Sequence, residues 1–316
     1  MASEKTISSA AVSFENFCTK TSASVISETF PDNSNTTVSL STEQSLYPRK
    51  NLISPQRSKK WRSADSGSRS HVAIAIDLGA SKVPGLLALV DSNLSKSSAD
   101  NFVSAGVTEN LTVRPNSASL SPTEILLQGA VSSDFSTAQD FKYSLYDQDS
   151  LNGVIRYYLD TDESGSAINS SGYRYWRLVV NKHSFADAYF QLGQLWLGQV
   201  TNIAPEIGGL SLKQADASPF STAYNGARFS DKISPIRSIG IEIKHLPDST
   251  EAIPLQNIAA SSGATEEVIL DISAWSSDVV RKASDTYYGR LESNGFQWSA
   301  QFQRRRTVKL SFVEAR

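Results

Sequence analysis

Few residues in this chain of 316 could carry chemistry, and their spacing argues against most of it. There are three histidines, His71, His183 and His245, far apart in sequence. They leave little material for a Ser–His–acid relay or a histidine metal site. The single cysteine, Cys18, excludes an internal disulfide and a thiolate zinc site. With no base beside it, its thiol reads as a small, buried and inert group. Ser166 follows Gly165 without a G-x-S-x-G elbow. Residues 79–85, G-A-S-K-V-P-G, lack the Gly-Lys-Ser/Thr ending of a phosphate loop, and Pro84 removes a backbone donor, so they read as a strand-end turn. In residues 160–171, D-T-D-E-S-G-S-A-I-N-S-S, Asp160 and Asp162 match the opening of a calcium loop, but Ser171 stands where a bidentate Glu is needed. Those two aspartates are weak cation candidates, and an acidic, solvated hairpin loop is the favoured reading. Paired carboxylates for glycoside hydrolysis need only meet in space, and no segment recommends a pair. The expectation is therefore no catalytic residue, no metal site, no cofactor and no enzyme.

Residues that could bind are better represented. The densest basic cluster is Arg49, Lys50, Arg57, Lys59, Lys60 and Arg62, around Trp61. Nucleic-acid binding with Trp61 stacking on a base is one reading. Packing of long stems beside a domain end, or contact with an acidic partner subunit, is the favoured one. Arg304, Arg305 and Arg306 alternate faces before a final strand, which suits a solvated or interface strand. The net charge is -2, so neither nucleic acid nor an anionic membrane is an expected partner. The aromatic residues, with 5 Trp, 11 Tyr and 13 Phe, exceed the need of one core. Tyr157 and Tyr158 cannot both point inward from one strand, nor can Tyr287 and Tyr288. Exposed tyrosines suit protein interfaces or sugar stacking, while a bland alternative lays each over a second layer of the fold. The sequons at Asn35, Asn93, Asn110 and Asn169 are those chance provides in a Ser- and Thr-rich chain.

The elements that would position these residues are strands. Val72, Ile74, Ile76 and Leu78 alternate within 72–78, as do Ile239, Ile241 and Ile243 within 239–243, and Val308, Leu310 and Phe312 within 308–313. A period of two marks a half-buried strand. Further strand-like runs are 86–90, 124–128, 154–159, 174–180, 189–197 and 267–272. Between them, 91–100, 114–122, 160–172 and 244–250 read as turns, because Ser, Asn, Asp, Gly and Pro bond their own backbone or tolerate positive φ. That placement accounts for most of the 52 serines. Helical periodicity is scarce, the best candidate being 274–286. The N-terminus shows no secretory pattern and no window of about 18 apolar residues occurs, so a soluble protein made in a cytoplasm is expected. Residues 1–20 read as a Ser-rich arm, and a boundary is placed near 200–208, at Pro205 and Gly208.

A resemblance sharpens this outline. Residues 46–80 contain L-Y-P-R-K-N-L-I-S-P-Q-R-S-K-K-W-R-S and S-H-V-A-I-A-I-D-L-G-A, and residues 173–198 add Y-R-Y-W-R-L-V-V-N and Y-F-Q-L-G-Q-L-W-L-G. This resembles the discoidin-like, or galactose-binding-like, jelly-roll β-sandwich. The positions that carry the pattern are Asn51, Leu52, Trp61, Ile76, Asp77, Leu78, Gly79, Arg174, Tyr175, Trp176 and Arg177. Of these, Asn51, Trp61, Asp77, Gly79, Arg174 and Trp176 serve as fold markers. Trp61 would plug one end of the sandwich, and Asp77 with Gly79 would end a strand in a tight turn. Arg174 and Arg177 lie on opposite strand faces, so the alternation does not let both be buried. The expected fold is all-β: an arm over 1–20, a discoidin-like jelly-roll sandwich over 21–200, with lead strands near 25–29 and 36–40, and a second β-rich domain over 201–316.

The whole arrangement is also similar to bacteriophage tail and virion structural proteins, where such a sandwich precedes a further β-rich half. Here that half includes 224–229, 237–243, 254–258, 287–293 and 304–314. What this resemblance implies is a non-enzymatic scaffold of the tail, baseplate or neck, assembled in a host cytoplasm. Its partners would be other virion proteins and copies of itself, with terminal arms that order on assembly. A lone Cys18 cannot supply the cysteine pair that brackets secreted animal discoidin domains. The alternative is a carbohydrate-binding module that recognises a host glycan through aromatic and polar loop residues.

Overall fold

In a computed structural model the chain is all-β with two short α-helices among the described residues. The structure describes residues 10–13, 15–19, 24–26, 29–31, 37–39, 46–54, 58–63, 71–104, 111–113, 118–145, 153–159, 172–203, 207–215, 220–222, 224, 228–230, 236–247, 253–262, 265–272, 285–301 and 305–315. It divides into two compact units, one of Glu15–Val200 with Ser276–Thr286, the other of Met1–Phe14, Thr201–Trp275 and Tyr287–Arg316.

The first unit is a sandwich. Five antiparallel strands, in the order Gln139–Ser144, Glu124–Ala130, Tyr173–Asn181, His71–Lys82 and Ser24–Ile26, form one sheet. Val154–Tyr158, Leu86–Val90 and Gln194–Gly198 form a second sheet of three. The period-two pattern decides what lies between them. Val72, Ile74, Ile76 and Leu78 share one core with Leu87, Leu89, Ile125, Leu127, Leu195 and Leu197. Burying a side chain of this size contributes about 1.5–3 kcal/mol each, so this layer carries the unit's stability. The expectation of half-buried strands is too simple here. Ala75 packs with Ala130 and Phe135 on the reverse face, and Leu126 with Leu120 and Val179. The central strands are therefore covered on both faces.

That double coverage explains the arginines of the Tyr173–Asn181 strand. Arg174 stays half-exposed and donates Nε and Nη2 to the two Asp77 carboxylate oxygens, each at 2.8 Å. Arg177 is buried, giving Nε to Gln128 Oε1 at 2.7 Å with its guanidinium 4.5 Å from the Phe135 ring centroid. Trp176, between them, stacks on Phe141 and points Nε1 at the Tyr173 carbonyl at 3.1 Å. Gly129 faces it across the ladder, and a Cβ there would lie 2.5 Å from the Tyr173 ring.

The second unit is built on a seven-stranded sheet, in the order Thr201–Ile203, Ala10–Ser13, Glu267–Asp271, Thr286–Gln301, Arg305–Glu314, Ile236–Pro247 and Ile207–Ala215. Ile239, Ile241, Ile243, Val308, Leu310 and Phe312 form its core, closed by Leu255 and Ala259 of the Ile253–Ser262 helix.

Several expectations need correction. Within the segment read as an arm, Ala10–Ser13 is an inner strand of the second unit, while Phe17 and Cys18 are buried in the sandwich core. Residues 96–100, read as turn, open the Lys96–Ser104 helix, because Ser95 caps it: its Oγ accepts from the Ser98 N–H at 3.2 Å. Residues 254–258, placed in a β-rich half, lie in a helix. The strand Ile236–Pro247 runs on through 244–247. Tyr287 and Tyr288 are both buried, since their strand is covered on both faces. Most of the helix expected over 274–286 lies outside the described residues, as do Asp160 and Asp162.

Candidate functional site

The short ladder of Trp61–Arg62 with Gln191–Leu192 sets one end of the sandwich. Alternation assigns its faces. Trp61 and Leu192 go into the core, and Arg62 and Gln191 remain partly exposed. Trp61 is 3% exposed and meets Phe190 edge-on, with centroids 6.0 Å apart. Trp61 therefore cannot stack on a base, which removes that reading of the basic cluster. The backbone is tied twice more: the Ser63 N–H donates to the Phe190 carbonyl and the Phe190 N–H to Ser63 Oγ, both at 2.9 Å. Asn51, at the Arg49–Ile53 turn, is buried and donates Nδ2 to the Lys60 carbonyl at 2.8 Å.

Above this floor the polar groups converge. The Arg62 N–H donates to the Tyr47 carbonyl at 3.4 Å, which brings the Tyr47 ring over the guanidinium, 3.9 Å from centroid to Cζ. Tyr189, one residue before the buried Phe190, turns outward and lies 4.6 Å from the same Cζ. Arg62 Nε donates to Gln191 Oε1 at 2.9 Å. Asn93 joins from the carboxyl end of Leu86–Val90. It accepts the Gln191 N–H on Oδ1 at 2.7 Å, and its Nδ2 donates to the Tyr189 carbonyl at 2.9 Å and to Asp187 Oδ2 at 2.8 Å. Asp91 makes the turn into this loop at φ 53, a left-handed conformation that Asp tolerates better than most residues. Tyr47, Arg62, Asn93, Asp187, Tyr189 and Gln191 thus form one accessible constellation of two rings, a cation, two amides and a carboxylate.

The fold markers mostly lie elsewhere. Asn51 and Trp61 support this end from below. Asp77 and Gly79 do not end a strand as expected: the strand runs on from His71 to Lys82, and the two residues lie at a shift in its register with Tyr173–Asn181, where the Gly79 N–H donates to Asp77 Oδ1 at 2.7 Å and Gly79 takes φ 74. Hydrogen bonding from Arg174 holds the Asp77 carboxyl below the usual carboxylate range. Trp176 is core. Cys18 is fully buried, and desolvation pushes its thiol up to about 12. The fold pairs His71 with Asn181, two residues before His183. Among the described residues, no group of three or more His, Cys, Asp or Glu side chains gathers to hold a metal ion. No described helix is long and apolar enough to cross a membrane.

No protein-family model matches the chain, and no curated protein does. Among solved structures it is similar to the C-terminal domain of a chitobiase from Bacteroides fragilis, with 16% identity over 58% of this chain and 97% of that one and a TM-score of 0.34. It is also similar to chitosan-binding module 1 of a chitosanase/glucanase from Paenibacillus sp. IK-5, with 12% identity over 58% and 98% and a TM-score of 0.33. A third is the family 32 CBM from C. perfringens NanJ in complex with galactose, with 8% identity over 60% and 99% and a TM-score of 0.33. Nothing in these likenesses indicates a bacteriophage origin.

Proposed function

We propose that the chain is a non-catalytic saccharide-binding module whose ligand surface is the Arg62 end of the sandwich. The observation that carries this reading is the Tyr47–Arg62–Tyr189 stack flanked by Asn93, Asp187 and Gln191. A sugar presents apolar C–H faces and a fan of hydroxyls. Amphipathic rings suit the first, and planar amide, carboxylate and guanidinium groups suit the second. Tyr47 and Tyr189 are both partly exposed, and neither hydroxyl bonds any described residue. The floor of Trp61 and Phe190 and the ties through Asn93 hold the groups in place beforehand, which lowers the ordering cost of binding. A glycan array probed with the full chain and with Tyr189→Ala tests the reading. Glycan-selective binding lost in the variant supports it, and no binding to any glycan overturns it.

A second reading, the virion scaffold, draws on a different observation. Among the described residues the Ile207–Ala215 strand ends its sheet, and Leu210 and Leu212 on it are 41% and 56% exposed. Such an edge can accept a strand from a neighbouring subunit. Concentration-dependent association in light scattering, abolished by Leu212→Lys, would favour it; a monomer at every concentration would count against it.

A further inference from the structure

Resting on the saccharide-binding reading above, we infer that the sugar bound at this end carries a carboxylate, and that Arg62 receives it. The guanidinium carbon lies over the Tyr47 and Tyr189 rings, 3.9 and 4.6 Å from their centroids, and a planar guanidinium donates only in its own plane. Within that plane, Nε is committed to Gln191. The two terminal nitrogens donate to no described residue, and Arg62 makes no ion pair among the described residues. The result is a guanidinium fork fixed in orientation with its open edge unspent. That edge matches the two oxygens of a carboxylate, through two parallel charge-assisted bonds.

Other arginines of the chain show what a structural arginine does here. Arg174, Arg237 and Arg290 each hold a carboxylate of this chain, Asp77, Glu314 and Glu267 respectively. Arg62 holds none, although it is as firmly oriented as any of them. The surrounding charges point the same way. Lys50, Lys59 and Lys60 lie in the segment that Asn51 ties to this end, and none has an ion-pair partner among the described residues. The acidic residues of this end are Asp91, at the loop turn, and Asp187, whose Oδ2 accepts from Asn93. The carboxylate of Asp187 would accept from sugar hydroxyls, while the acid group of the same sugar would meet Arg62. A neutral sugar would leave the fork unused.

The test titrates the full chain, by calorimetry, with trigalacturonate, a glucuronate-containing hyaluronan hexasaccharide and 3′-sialyllactose. Each is paired with its methyl ester, and a kappa-carrageenan tetrasaccharide, sulfated and free of carboxylate, serves as the sulfate arm. Wild type, Arg62→Lys and Arg62→Gln are compared, with thermal unfolding recorded for each. The expected result is that at least one acid binds, that its ester binds about tenfold to a hundredfold more weakly, and that Arg62→Lys loses a similar factor at unchanged unfolding temperature. Added salt weakens the wild-type interaction. If a variant fails to fold, the acid-against-ester comparison on wild type still decides. Equal affinity for acid and ester overturns the inference while leaving the saccharide reading intact. Binding of the sulfated ligand alone also overturns it, because the group received is then tetrahedral. If a neutral sugar binds on the array but no acid binds here, only the inference falls. If nothing binds in either experiment, the saccharide reading falls with it.

Discussion

Arg62 and Gln191 face each other across a ladder of two residue pairs, and the Arg62 Nε donates to Gln191 Oε1 at 2.9 Å. The bond fixes the rotation of a guanidinium whose Cζ lies over the Tyr47 and Tyr189 rings, 3.9 and 4.6 Å from their centroids. Each ring contact of this kind contributes about 0.5–1 kcal/mol where exposed. The triad is therefore a surface group held by local contacts, and its members can be changed without dismantling the core.

Tyr47→Ala and Tyr189→Ala are accordingly expected to weaken saccharide binding about tenfold or more each, with little change in unfolding temperature. Calorimetry with a ligand identified on the array, alongside thermal melts, checks both values. Unchanged affinity in both variants would place the ligand elsewhere.

Asn93→Ala acts one layer lower. It removes an acceptor for the Gln191 N–H and a donor to Tyr189 and Asp187 together. Losing these bonds is expected to destabilise the unit by about 1–3 kcal/mol, and to weaken binding because Tyr189 and Asp187 lose their tie. Chemical denaturation gives the first effect and calorimetry the second. A variant that loses stability but keeps full affinity would show that Asn93 does not position the ligand groups.

The floor of the site is a core element. Trp61→Ala leaves a large void beside Phe190, with an expected loss of about 3–5 kcal/mol. Denaturant unfolding measures it, and a loss below about 1 kcal/mol would contradict the packing described.

Asp77 sets a pH dependence. Its folded-state pKa is lowered, chiefly by the Arg174 hydrogen bond, so its contribution is present above the unfolded carboxylate value of about 3.9 and is lost as pH falls through the folded value. Arg174 is substantially exposed, so solvent screening keeps the contribution small. Asp77→Asn should therefore cost little at pH 7, and the gap to wild type should narrow as the pH falls below the ordinary carboxylate value of about 3.9 and through the lower folded one. A gap that widens on acidification would reverse the sign of this pairing.

Cys18 offers a simple check on the core. A fully buried thiol with its pKa raised to about 12 stays protonated, so the native protein should resist aromatic disulfide reagents. Denatured protein should react at once. Rapid native labelling would contradict the burial of residues 16–18.

The strands were legible because their pattern is local. The alternation of Val72, Ile74, Ile76 and Leu78, and of Ile239, Ile241 and Ile243, survives directly in the two cores. Ala10–Ser13 was not legible, since its place between Thr201–Ile203 and Glu267–Asp271 comes from pairing across nearly the whole chain. Of the site, Arg62 stood out only within a basic cluster, Asn93 only as a chance sequon, and Tyr189 only as the start of an apolar run. No local spacing joins residues 47, 62, 93 and 189, and the ladder of Arg62 with Gln191 is what joins them. The signal that was available is the outward tyrosine next to an inward phenylalanine at 189–190, beside a strand whose tryptophan and arginine alternate in the same way.

Whether the Arg62 end binds saccharide is tested most directly by a nuclear magnetic resonance titration of the full chain with a glycan identified on the array, following the rings of Tyr47 and Tyr189 and the side-chain N–H groups of Arg62 and Asn93. Saturable shifts concentrated on these four residues are expected. Shifts that avoid them and gather elsewhere, for example at the exposed Trp298 of the other unit, would contradict binding at the Arg62 end.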